Sequence, residues 1–165
     1  EWTFKNRRHY EWEKTKEICN VFWKDYKIKL DLKDHNESKA YVHGFIIEGD
    51  MGEDLVNEAQ NYFEKDVFWL IAPFQVFDQG VSRKLVKLPN DTFGLLVSYK
   101  NKNTYLWHFD DSGKPKSFNM WDSRSPIDGL EATWSNWQIA ETGVQLPTFH
   151  KILFFGLEIS DIKTD

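Results

Sequence analysis

Residues 50–81, DMGEDLVNEAQNYFEKDVFWLIAPFQVFDQGV, form the one convincing helical stretch in a chain that otherwise reads as strands. Asp50 can accept hydrogen bonds from first-turn amides, and Glu53 stands where the second half of a capping box belongs. Val56, Ala59, Phe63, Val67 and Leu70 then recur at helical spacing, with Glu53, Asn57, Gln60 and Glu64 on the other side. The polar side stops at Asp66. Beyond it Val67–Phe77 is almost wholly apolar, is broken by Pro73 and is ended by Asp78-Gln79-Gly80, so a helix is expected over 53–72. A lone helix on a sheet needs one apolar face, and Phe68, Trp69, Phe74 and Phe77 exceed that need. The segment should either fill a concavity of the sheet or help line one that holds a ligand.

Around this helix the pattern is period two. Arg8–Trp12 and Ile18–Trp23 form a hairpin across Glu13–Lys16, and Lys27–Leu32 sets Ile28, Leu30 and Leu32 on one face. Lys33–Ser38 turns the chain, and Lys39–His43 returns before Gly44. After the helix, Val81–Leu88, Thr92–Lys100 and Asn103–Asp110 read as strands joined by Pro89-Asn90-Asp91 and Asn101-Lys102. Asp111-Ser112-Gly113-Lys114 is a turn, since Gly supplies the positive φ and Asp bonds its own backbone. Pro115–Asp122, Leu130–Gln138, Thr148–Leu153 and Leu157–Lys163 complete about ten strands, with a break at Gly143 and Leu146-Pro147. Short strands, short turns and one helix predict a single α+β domain over residues 1–165, an antiparallel meander curling around the helix.

Composition narrows the function. The chain is 16% aromatic, with 13 Phe and 8 Trp, more than an ordinary core requires. Val67–Phe74 is its longest apolar stretch, far short of the roughly 20 residues that span a bilayer. Net charge is −5 and the 21 basic residues are scattered, which speaks against nucleic acid as the main partner. The single Cys19 excludes an intrachain disulfide, and five dispersed histidines give no zinc spacing, so neither metal nor cofactor is expected. A chain opening on Glu1 rather than Met is expected to be processed or trimmed.

Several segments together resemble small bacterial envelope proteins with the fold of the lipoprotein carriers LolA and LolB. They are Arg8–Trp12, Lys39–Gly44, Asp66–Phe74 with Asp78–Val81, Thr104–Trp107, Gly113-Lys114-Pro115, Trp134–Trp137 and Gly143–Pro147. The resemblance implies a strongly curved, incompletely closed antiparallel barrel with the helix in its concave face. Between sheet and helix the carriers take acyl chains. It also implies a periplasmic or cell-envelope location and a monomer, and any membrane association would run through an anchor outside this stretch. That fold normally begins with a helix before the first strand, and here the helix is missing. Fold transfers across such a family better than function does.

On this reading the ligand is a hydrophobic small molecule or a lipid or lipoprotein acyl chain. Its lining residues would be Trp69, Phe74 and Phe77, facing the concave sheet, with Phe63, Trp12, Trp23, Trp107 and Trp121. The same rings could equally be core, because aromatics dominate cores. Trp134 and Trp137, three apart on a strand, point to opposite faces, so one could serve as an exposed platform in a carbohydrate-binding module, the alternative function. His108 and Asp110 share a strand face and with Asp111 could make an acid/base or metal trio, although Asp-Asp-Ser-Gly is ordinary turn wording. No serine elbow, phosphate loop or zinc helix motif is present. Ser82, Ser98, Ser125 and Ser135 lack an evident His partner, and Cys19 reads as packed in a strand. The expectation is a protein that is not an enzyme and has no catalytic residue.

Overall fold

The computed structural model describes residues 1–99, 103–121 and 127–165. It is an α+β chain, mostly antiparallel strands with one α-helix. Residues group into two compact units. The first comprises Glu1–Phe68, Ile139–Val144 and Glu158–Asp165, and the second Trp69–Gln138 and Gln145–Leu157.

The first unit holds β1 (Trp2–Phe4), β2 (Arg8–Glu13), β3 (Ile18–Trp23), β4 (Tyr26–Asp31), β5 (Lys39–Val42), β6 (Phe45–Ile47) and the first part of α1 (Gly49–Gln75). The strands pair antiparallel in the order β6-β5-β4-β3-β2-β1, and β1 meets the chain's last strand through Thr3↔Ser160 and Phe4↔Ile159. Alternation sends Cys19, Val21, Trp23, Ile28, Leu30 and Ala40 into the core, where Leu55, Val56, Ala59 and Phe63 of α1 are also buried. Phe63 lies 5.4 Å from the Trp12 ring and 6.3 Å from Trp2, and Tyr62 lies 5.5 Å from Trp23, so this part of α1 packs on the strands. A Cβ on Gly52 would stand 2.3 Å from the Ile47 carbonyl oxygen, so only glycine lets the helix start this close to β6.

The second unit continues with the rest of α1, then β7 (Ser82–Lys87), β8 (Phe93–Ser98), β9 (Thr104–Phe109), β10 (Pro115–Trp121), β11 (Leu130–Thr133), β12 (Ser135–Ile139) and β13 (Gln145–Ile152). Its order is β7-β8-β9-β10-β11-β13, with β12 also on β13, and β14 (Phe155–Ser160) follows. Val97, Trp107, Phe118, Ala132 and Trp134 form the core.

The described residues hold fourteen strands where about ten are expected. Phe45–Ile47 is an additional strand, created by a two-residue turn in which His43 and Gly44 take φ of 47° and 85°. Residues 130–138 are two strands rather than one. They part at Trp134, whose amide donates to the Lys116 carbonyl at 2.8 Å. The last pair begins earlier than expected, and Leu146-Pro147 lies inside β13 instead of breaking the chain. Asp50 sits within the first turn of α1 rather than capping it, and Pro73 does not end the helix, which runs on to Gln75. Only two residues follow Pro73, so the missing N–H disturbs little of the ladder. The turn at Asn101-Lys102, the strand ends Lys100 and Asp122, and Ser125 lie outside the described residues.

Candidate functional site

The aromatic residues expected to line one cavity fall into three environments. In the first unit Phe63 and Trp23 are buried and Trp12 is half-buried, packed ring on ring. In the second unit Trp107 is only 1% exposed, and Trp69 sits half-buried beside Phe118, Trp134 and His150 at ring separations of 5.8, 6.4 and 5.1 Å. Phe74 is 50% exposed, Phe77 80% and Trp121 40%. Phe74 and Phe77 therefore depart from the expectation that they face the sheet with Trp69. Phe77 stacks under the Arg83 guanidinium at 5.0 Å.

Beneath the first group of rings lies a polar cluster. Asp66 is buried on α1, and Arg8 of β2 donates to its carboxylate through Nε at 2.5 Å and Nη2 at 3.1 Å. Tyr10 donates its hydroxyl to the same carboxylate at 2.5 Å. The guanidinium is held over the rings of Tyr62 at 4.5 Å and Phe4 at 5.3 Å. Burial first, and then the Asp66 charge, push the Tyr10 phenol far above its ordinary pKa, so it stays a donor. Three donors satisfy one buried carboxylate, which makes this a structural pin rather than a reactive group. The sequence does hold a signal for it: Asp66 stands three residues after Phe63 and four before Leu70, on the apolar stripe.

Beneath the second group lies a buried imidazole. His150 Nδ1 is 2.9 Å from the Thr133 carbonyl oxygen, and Nε2 has no partner of good hydrogen-bond geometry. Pro73 cannot donate to the Trp69 carbonyl, and that carbonyl favours protonation of His150 together with that of Thr133. Burial outweighs both and lowers the His150 pKa to about 4, so the ring is neutral at pH 7. Side chains also satisfy carbonyls at and just past the end of α1. Tyr99 donates its hydroxyl to the Ala72 carbonyl at 3.0 Å, and Arg83 donates to that of Val76 at 2.5 Å.

Here the second unit opens a groove. Pro73 and Phe74 from α1 face Ser112, Gly113, Lys114 and Pro115 of the β9–β10 turn, with Trp137 and Gln145, around a volume of about 540 Å³. Lys114 spans it, its ammonium 4.7 Å from the Trp137 ring centroid and 2.7 Å from Gln145 Oε1. Asp110 builds the turn by accepting from the amides of Ser112 and Lys114 at 2.9 and 3.0 Å, while the Ser112 hydroxyl depresses its pKa. The floor is apolar and the rim polar.

The other candidates are committed elsewhere. His108 Nε2 donates to Asn119 Oδ1 at 2.6 Å, while Asp110 accepts within its own turn. Ser98 pairs with Thr104, Ser135 donates to the Phe149 carbonyl, and burial pushes the wholly buried Cys19 thiol well above its ordinary pKa. No group of three or more His, Cys, Asp or Glu suited to a metal occurs among the described residues. No family model, no curated protein and no solved structure matches the chain.

Proposed function

We propose that this protein is a non-enzymatic binding protein that takes an acyl chain or similar apolar molecule, with Phe74 and Trp137 as the first contact. One observation carries the reading: the groove beside the end of α1 sets an exposed Phe74 beside half-buried Pro73, Pro115 and Trp137. Transfer of a chain onto such a surface releases about 0.8 kcal/mol per buried CH₂, enough for micromolar binding after association costs. Among the described residues Asp110, His108, Ser98, Ser135 and Cys19 are spent on turns, hydrogen bonds and packing, which supports a binding role over catalysis. The finer architecture proposed is that of the lipoprotein carriers, a strongly curved, incompletely closed sheet with α1 in its concave face. Its setting would be the bacterial envelope.

Native mass spectrometry after mild extraction tests this. A co-purified species of lipid mass, absent from the Phe74→Ala/Trp137→Ala variant, is the expected result; ligand-free protein that also fails to take up added fatty acid contradicts it. A Sec-type signal or lipobox upstream of Glu1 in the parent gene would support the envelope setting. A crystal structure with α1 on a convex face would exclude the carrier architecture.

A second reading, a carbohydrate-binding module, is favoured by the polar rim. Ser112, Lys114 and Gln145 surround Trp137 as hydrogen-bonding groups surround a sugar-stacking ring.

A further inference from the structure

The solvent side of β3, β4 and β5 is built unlike the rest of the chain. Lys27 and Lys29 alternate with buried Ile28 and Leu30, so both stand on the outer face. Register sets Asn20, Lys29 and Lys39 in one row across the three strands and Phe22, Lys27 and Tyr41 in the next. Lys29 and Lys39 are therefore directly opposite on one face, an arrangement that like-charge repulsion makes unfavourable. Asp31, two residues along the same strand, attracts Lys29 without forming an ion pair with it. Among the described residues Lys27, Lys29 and Lys39 have no ion-pair partner, and Lys27 rests only on the Phe22 ring at 5.4 Å. Two carboxylates beside these rows are engaged. Glu11 accepts from Asn20 Nδ2 at 3.1 Å, and Asp31 accepts from the amides of Lys33 and Asp34 at 2.9 and 3.0 Å.

A chain of net charge −5 thus keeps three neighbouring cations without an ion-pair partner among the described residues. Two of them, Lys27 and Lys29, border a hollow of about 310 Å³ that Asn20, Tyr41, His43 and Gly44 also line, and Lys39 stands outside it. The His43-Gly44 turn forms one wall, and the Tyr41 ring is only half-buried. The volume is at the small end of ligand pockets and suits one ring with one charged substituent.

We infer that this hollow binds a small ring-bearing anion, a sugar-type ring carrying a phosphate or carboxylate, its charge between Lys27 and Lys29 and its ring against Tyr41. Lys39 raises the local potential, and Asn20 supplies a neutral polar contact. Flanking Glu11 and Asp31 disfavour a long polyanion, so the partner is a small molecule. The site is separate from the groove at Phe74 and does not depend on the apolar reading of that groove.

Calorimetric titration with glucose 6-phosphate, glucuronic acid, glucose and inorganic phosphate tests it, the first two separating phosphate from carboxylate. One or both anionic sugars should bind, with glucose and inorganic phosphate each at least about tenfold weaker. Binding should weaken as salt rises. Lys29→Gln should cut affinity about tenfold or more and at the same time raise the unfolding midpoint of the free protein, because it relieves the Lys29–Lys39 repulsion. A merely structural lysine would not give that opposition, and the raised midpoint shows that the variant folds. The inference fails if neither anionic sugar binds, if inorganic phosphate binds as tightly as glucose 6-phosphate, if an oligothymidylate binds more tightly than either sugar, or if Lys29→Gln leaves affinity unchanged.

Discussion

The two parts of α1 solve the same burial problem with opposite chemistry. Between Gly49 and Phe68 the helix buries a carboxylate, Asp66, and surrounds it with Arg8 and Tyr10. From Trp69 onward it lies beside a buried base, His150, which keeps its place among Phe118, Trp134 and Trp69 by remaining uncharged. A buried charge is tolerable only while its partners remain, so the first unit should be sensitive to the loss of any one of them. A buried neutral base needs no counterion, so the second should be sensitive to pH instead. Near-equal aromatic content hides this difference, because the rings fill volume in both while the polar groups decide how each core fails.

The largest effect should come from breaking the first cluster. Asp66→Ala leaves the Arg8 guanidinium largely buried without a counterion and should cost about 3–5 kcal/mol in denaturant titrations. Replacing all three members together (Arg8→Met, Tyr10→Phe, Asp66→Leu) should recover most of that loss, and a triple variant as unstable as the single one would break the contrast. In the second unit the corresponding lesion is a cavity. Trp107→Ala should cost about 3–4 kcal/mol, with no dependence on pH between 5 and 8 beyond that of the parent.

The third effect is the pH response itself. The folded pKa of His150, about 4, lies below the ordinary 6.5, so above pH 6.5 both folded and unfolded forms are neutral and the shift costs nothing. Below it the unfolded chain takes up a proton that the folded one refuses, and stability falls until pH 4 by roughly 3 kcal/mol in total. His150→Gln should flatten that slope. An unchanged slope would remove the buried imidazole from the comparison. Smallest is Phe74→Ala, which at an exposed position should change stability by less than about 0.5 kcal/mol while weakening uptake of an apolar ligand.

Legibility in the sequence follows the range of the interaction. Strand alternation is local, and Lys27-Ile28-Lys29-Leu30 declares its two faces without help. Trp134 is buried while Trp137 lines the groove, although the two do not share the single strand expected, because β11 and β12 part at Trp134. Asp66 announces itself only as an acid on an apolar stripe; its partner Arg8 is 58 residues away and carries no local mark of the pairing. His150 gives no signal at all, because its burial depends on Trp69 and Trp134 arriving from other elements. The exposure of Phe74 and Phe77 was missed because periodicity cannot say how far a helix continues past a proline. Turn chemistry at Asp110–Lys114 was plain, yet that the turn would stand opposite Phe74 was not.

Tryptophan fluorescence during titration with palmitate, run beside maltotriose, tests the proposed binding role most directly, since Trp137 forms one wall of the groove. A saturable shift in the micromolar range with palmitate, absent with maltotriose and lost in the Trp137→Phe/Phe74→Ala variant, is the expected result. A shift with maltotriose alone, or a palmitate response that persists unchanged in that variant, would contradict it.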